Sequence, residues 1–168
     1  MKEPAMLEEK GGWFVVNVRD ARWVDHPAFG KRCLFEMEGP FPQTGINLTV
    51  LEPGLPNCRY HREGAQEDFL VLSGECLMLV NGEEKPLKAW DYVHCPPGVS
   101  HVFVGAGDGP CVMLMIGHRP ADHQLYYPES EPARRYGAEA PKPTPDPRIA
   151  YSDVGPRQPI DPPDWPIS

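Results

Sequence analysis

Across residues 13–117 the apolar side chains come in short runs of Val, Leu, Ile, Phe, Tyr and Met, each closed off by Gly, Pro, Asn or Asp. Runs of this length, rich in β-branched and aromatic residues, predict strands. They read WFVVNV, CLFEM, INLTVLE, EDFLVLS, ECLMLVN, DYVHCP, HVFVGA and CVMLMIG. The phrase VNGEE places Asn81-Gly82 between two polar-flanked runs, and that dipeptide takes the positive φ angles a two-residue hairpin requires. No window of useful length repeats its apolar positions every 3.6 residues between recognisable caps, so helices in this region are expected to be few and short. Short strands joined by tight turns predict an all-β domain, an antiparallel barrel in preference to a sandwich.

Beyond Gly117 the pattern changes. Residues 118–168 hold 12 of the chain's 22 prolines, in phrases such as PKPTPDP and QPIDPPDWP. Proline removes the donors that a sheet ladder needs, so this segment is not a continuation of the barrel. Composition of this kind often marks a solvated linker. Against that stand Leu125, Tyr126, Tyr127, Tyr136, Ile149, Tyr151, Ile160 and Trp165, spread through the segment as apolar anchors. The expected organisation is an N-terminal extension (1–12), one barrel domain (13–117) and an extended Pro-rich tail (118–168) that wraps the barrel or a second subunit. A chain of 168 residues suits one core.

Charge narrows the partners. A formal net charge of -8 leaves no clustered cationic surface for phosphate backbones, so no nucleic acid partner is expected. No run approaches the ~20 apolar residues that span a bilayer, and the acidic start MKEPAMLEEKGG has no apolar stretch after its lysine. The expectation is a soluble, cytoplasmic protein with no membrane contact. Five widely spaced cysteines without a CxxC pair fit reduced thiols packed in a core. Cys58 and Cys95 flank the two polar segments described next.

Residues 60–74, YHREGAQEDFLVLSG, crowd His61, Glu63, Glu67 and Asp68 ahead of an apolar strand. Alternation along a strand puts His61, Glu63 and Glu67 on the face that continues inward as Phe69 and Val71, with Asp68 facing the other way. Imidazole and carboxylates converging inside a barrel are costly unless a cation lies between them. Residues 96–101 supply a further donor: the Pro96-Pro97-Gly98 turn leads into His101, on the same strand face as Phe103. His94 reads as an edge histidine.

Together these residues resemble the cupin superfamily. The first cupin motif is matched by Gly54, His61, Glu63, Glu67 and Gly74, the second by Pro96, Gly98 and His101, and the likeness spans roughly residues 45–117. It implies a double-stranded β-helix, the jelly-roll barrel. Glu63 stands where the motif has a second histidine, the glycine expected near Trp90 is absent, and Gly105 replaces an asparagine. An alternative register would put Tyr60 and Arg62 at the histidine positions. The phrase Tyr-His-x-Glu-x-x-x-Glu-x-Phe-x-x-Leu-x-Gly is similar to the ligand segment of the 3-hydroxyanthranilate 3,4-dioxygenases. That resemblance implies iron held by His61, Glu67 and His101, with Glu63 beside them, a two-histidine, one-carboxylate set that leaves positions open for substrate and oxygen. Zn, Mn or Ni would suit the same donors. Those enzymes also hold a substrate carboxylate with arginines; Gly105 occupies one such position, and Arg59 is the candidate replacement.

The resulting expectation is a metal-binding cupin: a metal-dependent, oxygenase-like enzyme acting on a small molecule, assembled as a homodimer. Glu63 would serve either as a fourth ligand or as a catalytic acid or base whose pKa is raised by burial near other carboxylates. The alternative is a non-catalytic cupin that binds a small ligand or a metal.

Overall fold

The computed structural model describes residues 7–8, 12–36 and 39–164. In chain order the strands are β1 (Leu7–Glu8), β2 (Phe14–Val15), β3 (Arg22–Asp25), β4 (Lys31–Leu34), β5 (Thr44–Leu51), β6 (Arg62–Glu63), β7 (Glu67–Ser73), β8 (Glu75–Val80), β9 (Glu83–Lys88), β10 (Tyr92–Cys95), β11 (His101–Ala106), β12 (Cys111–His118), β13 (Leu125–Tyr126) and β14 (Gln158–Ile160). Two short helices, α1 (Glu131–Arg135) and α2 (Pro147–Ala150), lie between β13 and β14. All strand pairings are antiparallel.

A seven-stranded sheet, β10-β7-β12-β5-β4-β3-β14, faces a three-stranded sheet, β11-β8-β9. The inward residues of the two sheets, Leu51, Phe69, Val71 and Met113 against Cys76, Met78 and Phe103, form the central core. The opposite faces are covered as well. Trp23, Cys33, Leu48, Val50 and Val112 pack on the outside of the larger sheet, with Ile160 of β14 among them. Tyr60, Leu79, Val102 and Val104 pack outside the smaller sheet, under Ala133 and Ala138. Burial on both faces is why HVFVGA and CVMLMIG read as continuous apolar runs instead of alternating ones.

The predicted runs map onto β2, β4, β5, β7, β8, β10, β11 and β12, with two corrections. WFVVNV shrinks to Phe14–Val15, its Val16 and Val18 packing against the outer cluster as loop residues. Of CLFEM, Met37 lies outside the described residues. Among the remaining strands, β3 has only Trp23 and Val24 between charged ends, and the charged β9 contains Pro86 and forms the edge of its sheet, where a missing donor is tolerated. Asn81 and Gly82 make the β8–β9 hairpin with φ of 49° and 84°.

After Gly117 the chain returns along its own barrel. β13 adds to β6 and β14 adds to β3. The segment is not extended throughout: Ser130 and Asp146 cap α1 and α2, each followed by proline in the first turn, where proline's fixed φ suits a helix start. Tyr127 and Ala150 are buried in a small cluster of their own. Trp165, expected as an anchor, lies outside the described residues. Among the described residues no helix is long and apolar enough to cross a membrane.

Candidate metal centre

His61 and His101 sit opposite each other at the end of β11 and exchange both backbone hydrogen bonds, 3.2 Å from His61 N–H and 2.8 Å from His101 N–H. Residues paired this way share a face, and the two imidazole centroids stand 5.1 Å apart. The Pro96-Pro97-Gly98 turn delivers His101. Gly98 has φ of 87° and donates its N–H to Glu63 O at 2.7 Å, tying the turn to β6. Glu67 opens β7 between Cys95 of β10 and Gly117 of β12.

One ligand atom each from His61, Glu67 and His101 lies within 4.8 Å of the others. His61 Nδ1 faces Arg59 O at 2.8 Å, and His101 Nδ1 faces Val99 O at 3.0 Å. A carbonyl accepts only from a protonated ring nitrogen, so in each ring Nδ1 is the donor and Nε2 is the nitrogen turned toward the cluster. Glu67 Oε2 is 3.3 Å from His101 Nε2. Two oriented imidazoles and a carboxylate, converging in a partly dry site, form the donor set that suits a divalent cation.

Burial pushes Glu67 up to about 7, against the pull of His61 and with Glu63 adding to the rise. Burial also draws His101 down to about 4, helped by His61. At His61 burial opposes the charged form, but Cys58, Glu63 and Glu67 outweigh it and hold the imidazole well above its ordinary value. At Glu63 the upward effect of burial is overcome by His61 and His123, so its carboxyl lies below the ordinary range. The expected rise at Glu63 is therefore found at Glu67 instead: the His61 and His123 imidazoles outweigh burial at Glu63, whereas burial outweighs His61 at Glu67.

Residues 47–117 match the family model described as Cupin domain. The chain carries a cupin domain. Solved structures agree. A sugar phosphate isomerase of the cupin superfamily from Silicibacter pomeroyi is 23% identical over 68% of this chain and 82% of its own, with a TM-score of 0.60. A putative sugar phosphate isomerase from Acidithiobacillus ferrooxidans is 25% identical over 57% of this chain, with a TM-score of 0.51, and the cupin spans 64% of that protein's length. The polyketide cyclase RemF from Streptomyces resistomycificus is 14% identical over 62% of this chain and 78% of its own, with a TM-score of 0.53. No curated protein matches the chain.

Within this domain the structure brings His61, Glu67 and His101 together and sets Glu63 beside them. Glu63 Oε1 is 3.3 Å from His61 Nε2 and its Oε2 is 3.5 Å from His123 Nε2, outside the three-ligand group. His123 escaped the sequence reading: an isolated histidine in the tail carries no spacing signal, and only the β13–β6 pairing brings it here. Cys58 does approach the site, its Sγ 3.6 Å from His61 Nδ1. Cys95 is core packing, and all five cysteines are unpaired. Asp68 faces away, bonded to Tyr92 Oη at 2.6 Å and His94 Nδ1 at 2.7 Å. The alternative register fails, since Tyr60 is buried outside the smaller sheet and Arg62 is exposed over the Tyr126 ring.

Two departures from the cupin pattern have physical reasons. Any Cβ at Gly105 would stand 2.3 Å from Glu52 O, so no arginine fits there. Trp90 takes φ of 75°, the left-handed conformation for which the pattern keeps a glycine. Arg59, the candidate substitute for a carboxylate-binding arginine, is committed elsewhere: its guanidinium donates to Gly137 O at 2.9 Å, Glu139 O at 2.8 Å and Asp153 Oδ1 at 2.6 Å, clamping the tail. The His61–Glu67–His101 cluster opens onto a cavity of about 770 Å³ whose wall includes Phe29, Phe69, Met115 and Tyr127.

Proposed function

We propose that this cupin is a metal-dependent enzyme acting on a small molecule by oxygenase-type chemistry, its ion held by His61, Glu67 and His101. The observation that supports this most directly is the convergence of three ligand atoms within 4.8 Å beside an open cavity, with both imidazoles oriented by backbone carbonyls. Three protein donors leave part of an octahedral coordination sphere free, which a closed structural site would not. Iron(II), when bound, would supply Lewis acidity and one-electron chemistry toward substrate and oxygen.

The protein's own groups divide the remaining work. Glu63, kept ionised, is the base: it accepts a proton from the bound molecule and passes it to His123, which is exposed to solvent. A proton and a metal ion compete for His61 Nε2, so loading the site releases Glu63 from that partner. Phe69, edge-on to His101 at 5.3 Å, and Met115 keep the inner wall dry.

The test is metal analysis of protein purified without chelator or nickel, followed by oxygen uptake with catechols and small keto acids. Glu63→Gln is expected to keep its metal and lose turnover. Wild-type protein that takes up no divalent ion would end this reading, and a loaded protein inert in every assay would be a non-catalytic metal-binding cupin. The likeness to a putative sugar phosphate isomerase at 25% identity supports isomerisation as the second reading; it predicts turnover without oxygen.

A further inference from the structure

Three arginines line the cavity, and they are not equivalent. Arg119 is neutralised: it grips Glu36 through both terminal nitrogens and donates to Phe41 O at 2.7 Å. Arg32 and Arg157 have no carboxylate in an ion pair among the described residues. Arg32 belongs to β4 and pairs with Thr49 of β5, which in turn pairs with Met113 of β12, so all three point to the barrel interior. Its Nε is buried with no hydrogen-bond partner.

Arg157 comes from the tail, just before β14, and reaches back to backbone carbonyls: Gly30 O at 2.7 Å, Asn57 O at 3.3 Å and Phe29 O at 3.5 Å. Those contacts position the guanidinium without cancelling its charge. Burial, and next the charge of Arg32, draw it down to about 10. His26 does not compensate, since Nε2 faces Gly155 O at 2.9 Å and Nδ1 accepts from Ala28 N–H at 3.0 Å. The acids on the cavity wall are Glu63 and Glu67, paired with His61 and His101 respectively. Two like charges held inside a barrel, one with an unused donor, are destabilising unless an anion joins them.

We propose that Arg32 and Arg157 form an oxyanion subsite in this cavity, holding a carboxylate or phosphate group of the small molecule that reaches the His61–Glu67–His101 cluster. The subsite rests on the functional reading above only for what the rest of that molecule touches. It restricts the substrate to acids and phosphate esters, and it makes a residue of the tail part of the binding site. Guanidinium forks match both groups in geometry.

The test titrates chelator-treated full-length protein, in low-salt buffer, with inorganic phosphate and separately with benzoate, read by calorimetry and thermal unfolding. Saturable binding of phosphate, of benzoate or of both is expected, and the preferred anion identifies the class. Arg32→Gln should weaken that binding about tenfold or more, the loss of one charge-assisted hydrogen bond. In anion-free buffer the same variant should melt no lower than wild type, because it removes an uncompensated charge and no structural contact. Arg119→Gln should keep the anion affinity. No saturable binding of either anion, or equal affinity in wild type and Arg32→Gln, overturns the subsite. Because binding is read without metal, the two readings fail separately. A chain that takes up no divalent ion yet binds anion through Arg32 loses the metal reading alone, and a chain that loads metal but ignores both anions loses the subsite alone.

Discussion

Replacing Glu67 by glutamine separates what the site costs the fold from what it supplies. In the metal-free protein burial raises this carboxyl from 4.5 to about 7, with His61 opposing and Glu63 adding. At ~1.4 kcal/mol per pH unit the gap is worth ~3 kcal/mol of destabilisation. Between pH 4.5 and about 7 the folded chain holds a proton that the unfolded chain has released, so stability falls as pH rises through that window. Above it the whole cost stands; below it both states are protonated and the cost disappears. Glutamine keeps the shape and carries no charge. The metal-free Glu67→Gln protein should therefore exceed wild type by up to ~3 kcal/mol at pH 8, about 6–12 °C in Tm for a chain of this size, and match it near pH 4.5. Urea denaturation of chelator-treated protein at both pH values measures the difference, and mass spectrometry of the same preparations after zinc loading should show lowered metal in the variant. A variant less stable than wild type at pH 8, or a difference that does not change with pH, would refute the reasoning.

Three further outcomes are expected. His61→Ala and His101→Ala should each weaken zinc binding about a hundredfold, since ~10 kcal/mol or more of binding is shared among few ligands; equilibrium dialysis showing wild-type affinity in either would remove that residue from the ligand set. Trp90→Gly should raise stability by ~0.5–1 kcal/mol: Trp90 is 75% exposed, so little packing is lost, while the left-handed conformation that costs an L-residue ~1–2 kcal/mol is relieved and glycine's unfolded-state entropy returns part of the gain. An unchanged or lower Tm counts against it. Truncation after Gly117 uncovers Tyr60, Leu79, Val102 and Val104 by removing Ala133 and Ala138, which at ~25 cal/mol per Å² amounts to several kcal/mol; the shortened chain should melt lower and aggregate in light scattering, and a wild-type Tm would show that the tail is dispensable.

Much of this was legible in the chain itself. EDFLVLS and HVFVGA stand in the structure at the bounds their punctuation implies, β7 and β11, because apolar continuity and the flanking turn residues are local properties. The convergence of His61, Glu67 and His101 was legible for a related reason: two short segments, each with its own turn chemistry, carry all three side chains. What stayed hidden depends on register between distant segments. β9 is solvated and charged, and only the neighbouring β8 makes it a strand. Arg32 and Arg157 lie 125 positions apart, and His123 sits 60 positions from Glu63; nothing in the intervening sequence encodes that β4–β5, β14–β3 and β13–β6 pairing will bring these groups to one cavity. The same holds for protonation. Glu63 and Glu67 are chemically identical and four residues apart, yet the first is held ionised and the second takes up a proton near pH 7, because His61 and the tail's His123 outweigh burial at the first and a buried strand end encloses the second. Local pattern determined which segments are strands and which side chains turn inward; the identity of the neighbours each inward charge meets was decided only when the sheets closed.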